Sequence, residues 1–183
     1  MSLLISALAV NSFADGDGAL TVTATDIVDG KFTATVSISG NPGISGMSLR
    51  LGFDSKKMTP VSFDASKGIY PEALSNVTQD GADLTSFDEI SYFFAVAEDI
   101  TSDGVLFSVT FSLSPDAAGT SDLVLSYADG GVTNSDHNSL TPSISNCTVD
   151  ISSAMYPGGV ITLESEYLGL DFYRVNVGLY KGP

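Results

Sequence analysis

The sequence predicts an all-β fold, an antiparallel β-sandwich of eight or nine short strands. From Ala19 onward, apolar residues recur at every second position, which is the period of a half-buried strand rather than of a helix. These stretches are rich in Thr, Ser, Val and Phe, and clusters of Gly, Asn, Asp and Pro separate them. Because no long amphipathic helical pattern interrupts them, two sheets packed face to face are expected to bury the apolar side of each strand.

Seven alternating stretches account for most of the strands. The turn Asp29-Gly30 joins the first two stretches, and Asp129-Gly130-Gly131 follows the sixth. In chain order, the residues predicted to face the core are Leu20, Val22 and Ala24; Phe32, Ala34, Val36 and Ile38; Met47, Leu49, Leu51 and Phe53; Tyr92, Phe94 and Val96; Val105, Phe107, Val109, Phe111 and Leu113; Leu123, Leu125 and Tyr127; and Cys147, Val149 and Ile151.

The length of 183 residues suits one domain with an extension at each end. Residues 1–14 contain the apolar run Leu3–Val10 and then Ser12-Phe13-Ala14, which is typical of the end of a secretory signal peptide without its basic start; the alternative is a first β-strand. Residues 15–151 form the predicted sandwich. Residues 152–183 contain further strand-like stretches whose role the sequence leaves open. We therefore expect a secreted or cell-surface protein, and no apolar run reaches the roughly 18 residues that cross a bilayer.

The charge of the chain limits its partners. There are 22 Asp and Glu against 7 Lys and Arg, a formal net charge of −15, which excludes nucleic acid and anionic lipid as partners. The stretch from Gly68 to Tyr173 contains no Lys or Arg at all. A partner that docks there is expected to bring cationic groups, although an acidic surface also simply keeps an extracellular domain soluble.

The sequence predicts no cofactor and no metal site. One cysteine, Cys147, and one histidine, His137, supply neither a zinc ligand set nor a Ser-His-Asp triad. The acidic stretch Asp15-Gly16-Asp17-Gly18 fails as an EF-hand loop, because Ala19 stands at the fifth position and Asp26 at the twelfth.

Enzymatic activity is not predicted either. The adjacent carboxylates Asp88-Glu89 and Glu98-Asp99 would point to opposite faces of a strand, so neither pair makes the acid and nucleophile of a glycosidase.

Five segments, in the same order along the chain, resemble cohesin domains. They cover about Ala19 to Ile151, and they follow one another in the order that the family has. The segments are Gly43-Ile44-Ser45-Gly46-Met47-Ser48-Leu49-Arg50-Leu51-Gly52-Phe53-Asp54, Phe94-Ala95-Val96-Ala97-Glu98-Asp99, Ser102-Asp103-Gly104-Val105-Leu106-Phe107, Gly130-Gly131-Val132-Thr133-Asn134-Ser135-Asp136 and Asn146-Cys147-Thr148-Val149-Asp150-Ile151.

The resemblance implies a nine-stranded jelly-roll sandwich with a non-catalytic role. Its sheet of strands eight, three, six and five would receive a dockerin, a small calcium-loaded module carried by an enzyme or another scaffoldin. The cohesin itself would need no cofactor and would act as a monomer. The alternatives are a secreted carbohydrate-binding module, which the absence of Trp disfavours, and an immunoglobulin-like adhesin or spacer.

Strand parity and the resemblance together predict the residues that contact the dockerin. Phe93 is the expected aromatic anchor, unless a loop covers it, and Arg50 is expected to pair with a dockerin carboxylate or with an acidic neighbour in its own sheet. Family members often carry Asn and Asp at the positions of Gly46 and Ser48, where they hydrogen-bond the dockerin. In the strand numbering of the family, the predicted contact residues are Gly46, Ser48 and Arg50 on the third strand, Phe93, Ala95 and Glu98 on the sixth, and Val124, Ser126, Ala128 and Asp129 on or after the eighth.

Overall fold

The structure, a computed structural model, describes residues 16–77 and 87–151 together with the backbone of residues 159–167 and 173–181. The strands in chain order are β1 Ala19–Ala24, β2 Lys31–Ser39, β3 Ile44–Gly52, β4 Met58–Asp64, β5 Glu89–Ile100, β6 Gly104–Leu113, β7 Thr120–Ser126, β8 Val132–Thr133, β9 Ser143–Ser145, β10 Cys147–Asp150, β11 Gly159–Tyr167 and β12 Tyr173–Lys181.

Two sheets form the sandwich. One has the strand order β4-β6-β2-β1-β9, and the other has the order β10-β7-β3-β5 with the short strand β8 added to β3. Neighbouring strands are antiparallel, except that β1 and β9 are parallel. The predicted all-β sandwich is confirmed. The predicted count of nine strands is close; β8 and β9 lie in a turn-rich segment where two or three residues are too few to show alternation.

The core lies between the two sheets and consists mainly of the alternating residues that the sequence singled out. Its aromatic centre joins both sheets: Tyr92 of β5 stacks on Phe107 of β6 with ring centroids 4.8 Å apart. Phe111 of β6 stacks on Phe32 of β2 at 5.3 Å. The Tyr92 hydroxyl is buried and has no hydrogen-bond partner among the described residues, and burial raises the pKa of this phenol.

One predicted core position is wrong. Val105 is 37% exposed, and its neighbour Leu106 is fully buried instead. Val36 pairs with Phe107 while Ser37 pairs with Val105, so the register between β2 and β6 shifts there. A β-bulge of this kind inserts one residue into a strand and reverses the alternation beyond it.

The segment before β5 extends the second sheet by a single bridge. The backbone N–H of Leu74 donates to the Phe93 carbonyl at 2.8 Å, and the Phe93 N–H donates to the Leu74 carbonyl at 2.9 Å. Further along, the Asn76 side chain substitutes for backbone: its Nδ2 donates to the Glu89 carbonyl at 2.9 Å, and its Oδ1 accepts from the Ser91 N–H at 2.8 Å. The edge of β5 is thereby covered.

The C-terminal part described by the structure is an antiparallel hairpin of β11 and β12, paired from Gly159 with Lys181 to Tyr167 with Tyr173. Both strands were expected in this region. The predicted signal peptide remnant, residues 1–14, lies outside the described residues. In the part of the chain that is described, no helix is long and apolar enough to cross a membrane.

Candidate protein-binding face

The side chains of the β10-β7-β3-β5 sheet that point away from the core form a surface that we call the outer face. Strand alternation creates it: Met47, Leu49 and Leu51 of β3 are buried, whereas Ser48 and Arg50 between them are exposed. The same alternation on β5 buries Tyr92 and Phe94 and exposes Phe93 and Ala95. These positions agree with the predicted parity.

An apolar pair stands at one side of the outer face. Phe93 is 47% exposed, and Leu74, its bridge partner on the edge segment, is 65% exposed. On the other side of Phe93 lies Ser48, its cross-strand partner on β3. Directly opposite residues in a sheet have side chains on the same face. The three residues therefore form one row that offers an exposed aromatic ring and an exposed leucine next to a small hydroxyl.

The next row is charged. Arg50 pairs with Ser91 on β5 and Ser126 on β7, and its Nη1 lies 3.2 Å from Glu89 Oε1. Of the two partners expected for Arg50, the structure thus shows the acidic neighbour in its own sheet. Both side chains are largely exposed, so the ion pair is screened by water and contributes little to stability.

A second apolar group lies beyond the charged row. Val124 of β7 is 46% exposed and pairs with Gly52 of β3, which has no side chain to cover it. Ser126, two residues later, is exposed as predicted. The outer face therefore has one polar row between two apolar groups, and small side chains lie among them.

Ala128 lies outside the strand on which parity placed it, and parity does not decide the positions of Asp129 and Glu98. The prediction that the strand continues through Ala128 is wrong: β7 ends at Ser126, and Ala128 and Asp129 are exposed residues of a turn in which the Gly131 N–H donates to the Ala128 carbonyl at 2.8 Å. Glu98 is exposed within β5. Between the pairs Gly46–Ala95 and Ile44–Ile100 the register shifts, so alternation from Phe93 does not fix the side on which Glu98 lies.

The structure also brings residues to the outer face that sequence reasoning missed. Leu74 was missed because its segment has no alternating pattern, and Glu89 because parity alone does not reveal its ion pair with Arg50. Thr133 of β8 lies opposite Gly46, which was itself predicted as a contact residue. No local signal marks Thr133, since its place depends on how β8 adds to β3.

The described residues contain no group of three or more His, Cys, Asp or Glu side chains arranged to hold a metal ion. Burial raises the pKa of the Cys147 thiol and so favours its protonated form. Asp99, which follows Glu98, has a structural role: its carboxylate accepts hydrogen bonds from the Ser135 N–H at 2.7 Å and from the Ser135 hydroxyl at 3.1 Å.

Comparison with solved structures shows the same fold. A type I cohesin–dockerin complex of Clostridium thermocellum, Coh-OlpA-Doc918, matches with a TM-score of 0.59 at 20% identity, over 73% of this chain and 97% of that one. The sixth cohesin of scaffoldin B from Acetivibrio cellulolyticus, in complex with a Cel5 dockerin, matches with 0.59 at 19% identity, over 73% and 97%. A non-cellulosomal cohesin from Archaeoglobus fulgidus matches with 0.56 at 17% identity, over 72% and 88%.

The sequence itself carries the assignment. No curated protein matches the chain. The family model described as "Cohesin domain" matches residues 18–151, which is the whole sandwich. The match disfavours the carbohydrate-binding and adhesin alternatives and confirms the resemblance drawn from the five segments. This chain belongs to the cohesin family.

Proposed function

We propose that this protein is a non-catalytic receptor that captures a calcium-loaded dockerin on its outer face. The observation that carries the proposal is the exposure of Phe93, Leu74 and Val124 on one sheet of a cohesin fold. A few aromatic and aliphatic anchors supply most of the affinity of a protein interface, and small neighbours allow a helix to approach closely. Two of the similar cohesins were solved in complex with dockerins, which supports the same class of partner here.

The acidic charge of this chain predicts a basic contact surface on the partner. The chain has a formal net charge of −15, and Glu98, Asp122 and Asp129 are exposed on the strands and the turn around the outer face. We expect a dockerin with Lys or Arg around its apolar contact, carried by an enzyme or by another scaffoldin. Electrostatic attraction of this kind acts mainly on the association rate, which should fall as salt is added.

In this proposal the dockerin binds the calcium, and this protein does not. Dockerins bind calcium through EF-hand-like loops, and the cohesin supplies only the sheet face on which the ordered dockerin docks. We place the protein outside the cell, because the apolar run before Ser12-Phe13-Ala14 is typical of a secretory signal peptide, and we expect it to act as a monomer. Cellulosome assembly and surface attachment are both compatible settings.

The test is a calorimetric titration of the full chain with a panel of calcium-loaded dockerins, repeated after EDTA has removed the calcium. We expect binding to at least one dockerin and its loss with EDTA. Phe93→Ala should weaken that binding by about 2 kcal/mol, roughly 30-fold, because it removes the exposed aromatic anchor of the face. Its thermal unfolding should stay close to that of the wild type.

Val28→Ala is the matched control, since Val28 is an exposed apolar residue beside the turn between β1 and β2, away from the outer face. It should bind like the wild type. Unchanged affinity in Phe93→Ala would show that the dockerin docks elsewhere. A folded wild type that binds no dockerin in the panel would refute the proposed function, and a glycan array would then be the next experiment.

A further inference from the structure

Gly46 leaves a gap in the outer face that a neighbouring strand fills. Gly46 and Thr133 are cross-strand partners between β3 and β8. A Cβ atom built on Gly46 would lie only 2.8 Å from Thr133 Oγ1, closer than real Cβ contacts come. The hydroxyl of Thr133 therefore stands where a side chain at position 46 would otherwise project. Position 46 has no side chain to present on the outer face, whereas position 133 presents a hydroxyl there.

The hydroxyls around this point have unused hydrogen-bonding capacity. Thr133 is half-buried, Ser48 is exposed, and neither hydroxyl has a hydrogen bond to any described residue. Ser48 is held in register because its backbone N–H donates to the Gly131 carbonyl at 2.7 Å in the turn before β8. Since Ser48 lies two residues after Gly46, the two hydroxyls are diagonal neighbours across β3 and β8.

The β5 residues opposite Gly46 and Ser48 are uncharged. Ala95 pairs with Gly46 on the β5 side, and Phe93 pairs with Ser48. The nearest cation in the register is Arg50, which is already engaged with Glu89. A hydroxyl both donates and accepts one hydrogen bond, so it suits a neutral polar group, whereas an ionised group would lose water without gaining an opposite charge.

We infer that Thr133, with Ser48, is the specificity-determining polar contact of the outer face and selects a neutral hydroxyl or amide side chain on the partner. This inference rests on the proposed function, because it assigns a role within the dockerin-binding face. It adds a contact on β8 to those predicted on β3, where Ser48 is retained and Gly46 has no side chain to offer. A dockerin that presents a carboxylate or an ammonium group at this point would be disfavoured.

The packing part of the inference is tested without a partner. Gly46→Ala should lower the melting temperature in the wild-type background, because Thr133 must move to admit the new methyl group. In a Thr133→Ala background the same change should be nearly neutral or stabilising, since the hydroxyl is gone. Equal effects in both backgrounds would show that the two positions do not compete for the same space, which would overturn the assignment.

The recognition part is tested with the calcium-loaded dockerin that binds the wild type most tightly in the panel. Thr133→Val keeps the shape of the side chain and removes the hydroxyl, so affinity should fall roughly tenfold, as expected for the loss of one hydrogen bond. Thr133→Ser retains the hydroxyl and should bind within about twofold of the wild type. Thr21→Val, on β1 of the other sheet, is the matched control and should change nothing.

The outcomes separate the inference from the proposed function. Wild-type binding with unchanged affinity in Thr133→Val would overturn the role of Thr133 and leave the dockerin receptor intact. Equal losses in Thr133→Val and Thr133→Ser would also overturn it, because the effect would then follow shape rather than the hydroxyl. No binding by the wild type would refute both.

Discussion

At the scale of single residues, Tyr92 and Phe93 are adjacent in the chain but lie on opposite faces of β5. The ring of Tyr92 stacks against Phe107 in the core, while the ring of Phe93 is exposed beside Leu74. The two aromatic side chains therefore act on different properties: Tyr92 on the stability of the sandwich, and Phe93 on binding. Only the parity of the strand separates these roles.

Tyr92→Phe should stabilise the protein by about 1 kcal/mol, because it removes a buried hydroxyl that has no hydrogen-bond partner among the described residues and leaves the stacked ring in place. Urea-induced unfolding of the two proteins measures the difference. Phe107→Ala is the contrasting variant and should cost about 3–5 kcal/mol as a large deletion in the same stack. A loss of stability in Tyr92→Phe would indicate that the hydroxyl is hydrogen-bonded in solution.

At the scale of elements, the second sheet depends on irregular pieces as well as on regular strands. The segment with Leu74 and Asn76 covers the edge of β5, although it makes only one bridge. Asn76 continues the edge with its side chain, which bonds the backbone of Glu89 and Ser91 as a neighbouring strand would. An exposed strand edge invites pairing with other chains, so covering it also protects the protein from aggregation.

Asn76→Ala should therefore loosen this edge and speed amide hydrogen exchange at Ser91, whose N–H would lose its acceptor. We expect a loss of about 1–3 kcal/mol, the usual cost of leaving a partly buried donor without a partner. Asn138→Ala, an exposed change in the turn after β8, is the control. Unchanged exchange at Ser91 would mean that another group protects this amide.

At the scale of the whole molecule, contacts between distant segments close the sandwich. Asp17, just before β1, accepts hydrogen bonds from the Thr141 N–H at 2.6 Å and the Thr141 hydroxyl at 2.7 Å, and so ties the start of the fold to the segment before β9. These bonds favour the charged form and lower the pKa of the Asp17 carboxyl below its ordinary value of 3.8. The folded state is thereby linked to pH.

A carboxyl whose pKa is lower in the folded state stabilises the fold above its unfolded pKa and loses that contribution as the pH falls through the folded value. Asp17→Asn should therefore lower the melting temperature at pH 7, and the difference from the wild type should shrink below about pH 3.8. Melting curves of both proteins across this range measure it. A difference that stays constant with pH would show that the charge of Asp17 plays no part.

The sequence by itself determined the fold class, most of the core and the parity of the outer face. A side-chain period of two leaves little choice once one side of each strand is apolar, which is why Ser48, Arg50, Phe93, Ala95, Val124 and Ser126 were placed correctly. Local periodicity does not reveal bulges, and so Val105 was assigned to the wrong side.

Only the tertiary structure decided what completes the outer face. Leu74 reaches it through one bridge, Glu89 through an ion pair with Arg50, and Thr133 through the pairing of β8 with Gly46. Each of these depends on which segments become neighbours after the chain has folded. Such long-range pairing is set by the closure of the whole sandwich, and no pattern within a single strand encodes it.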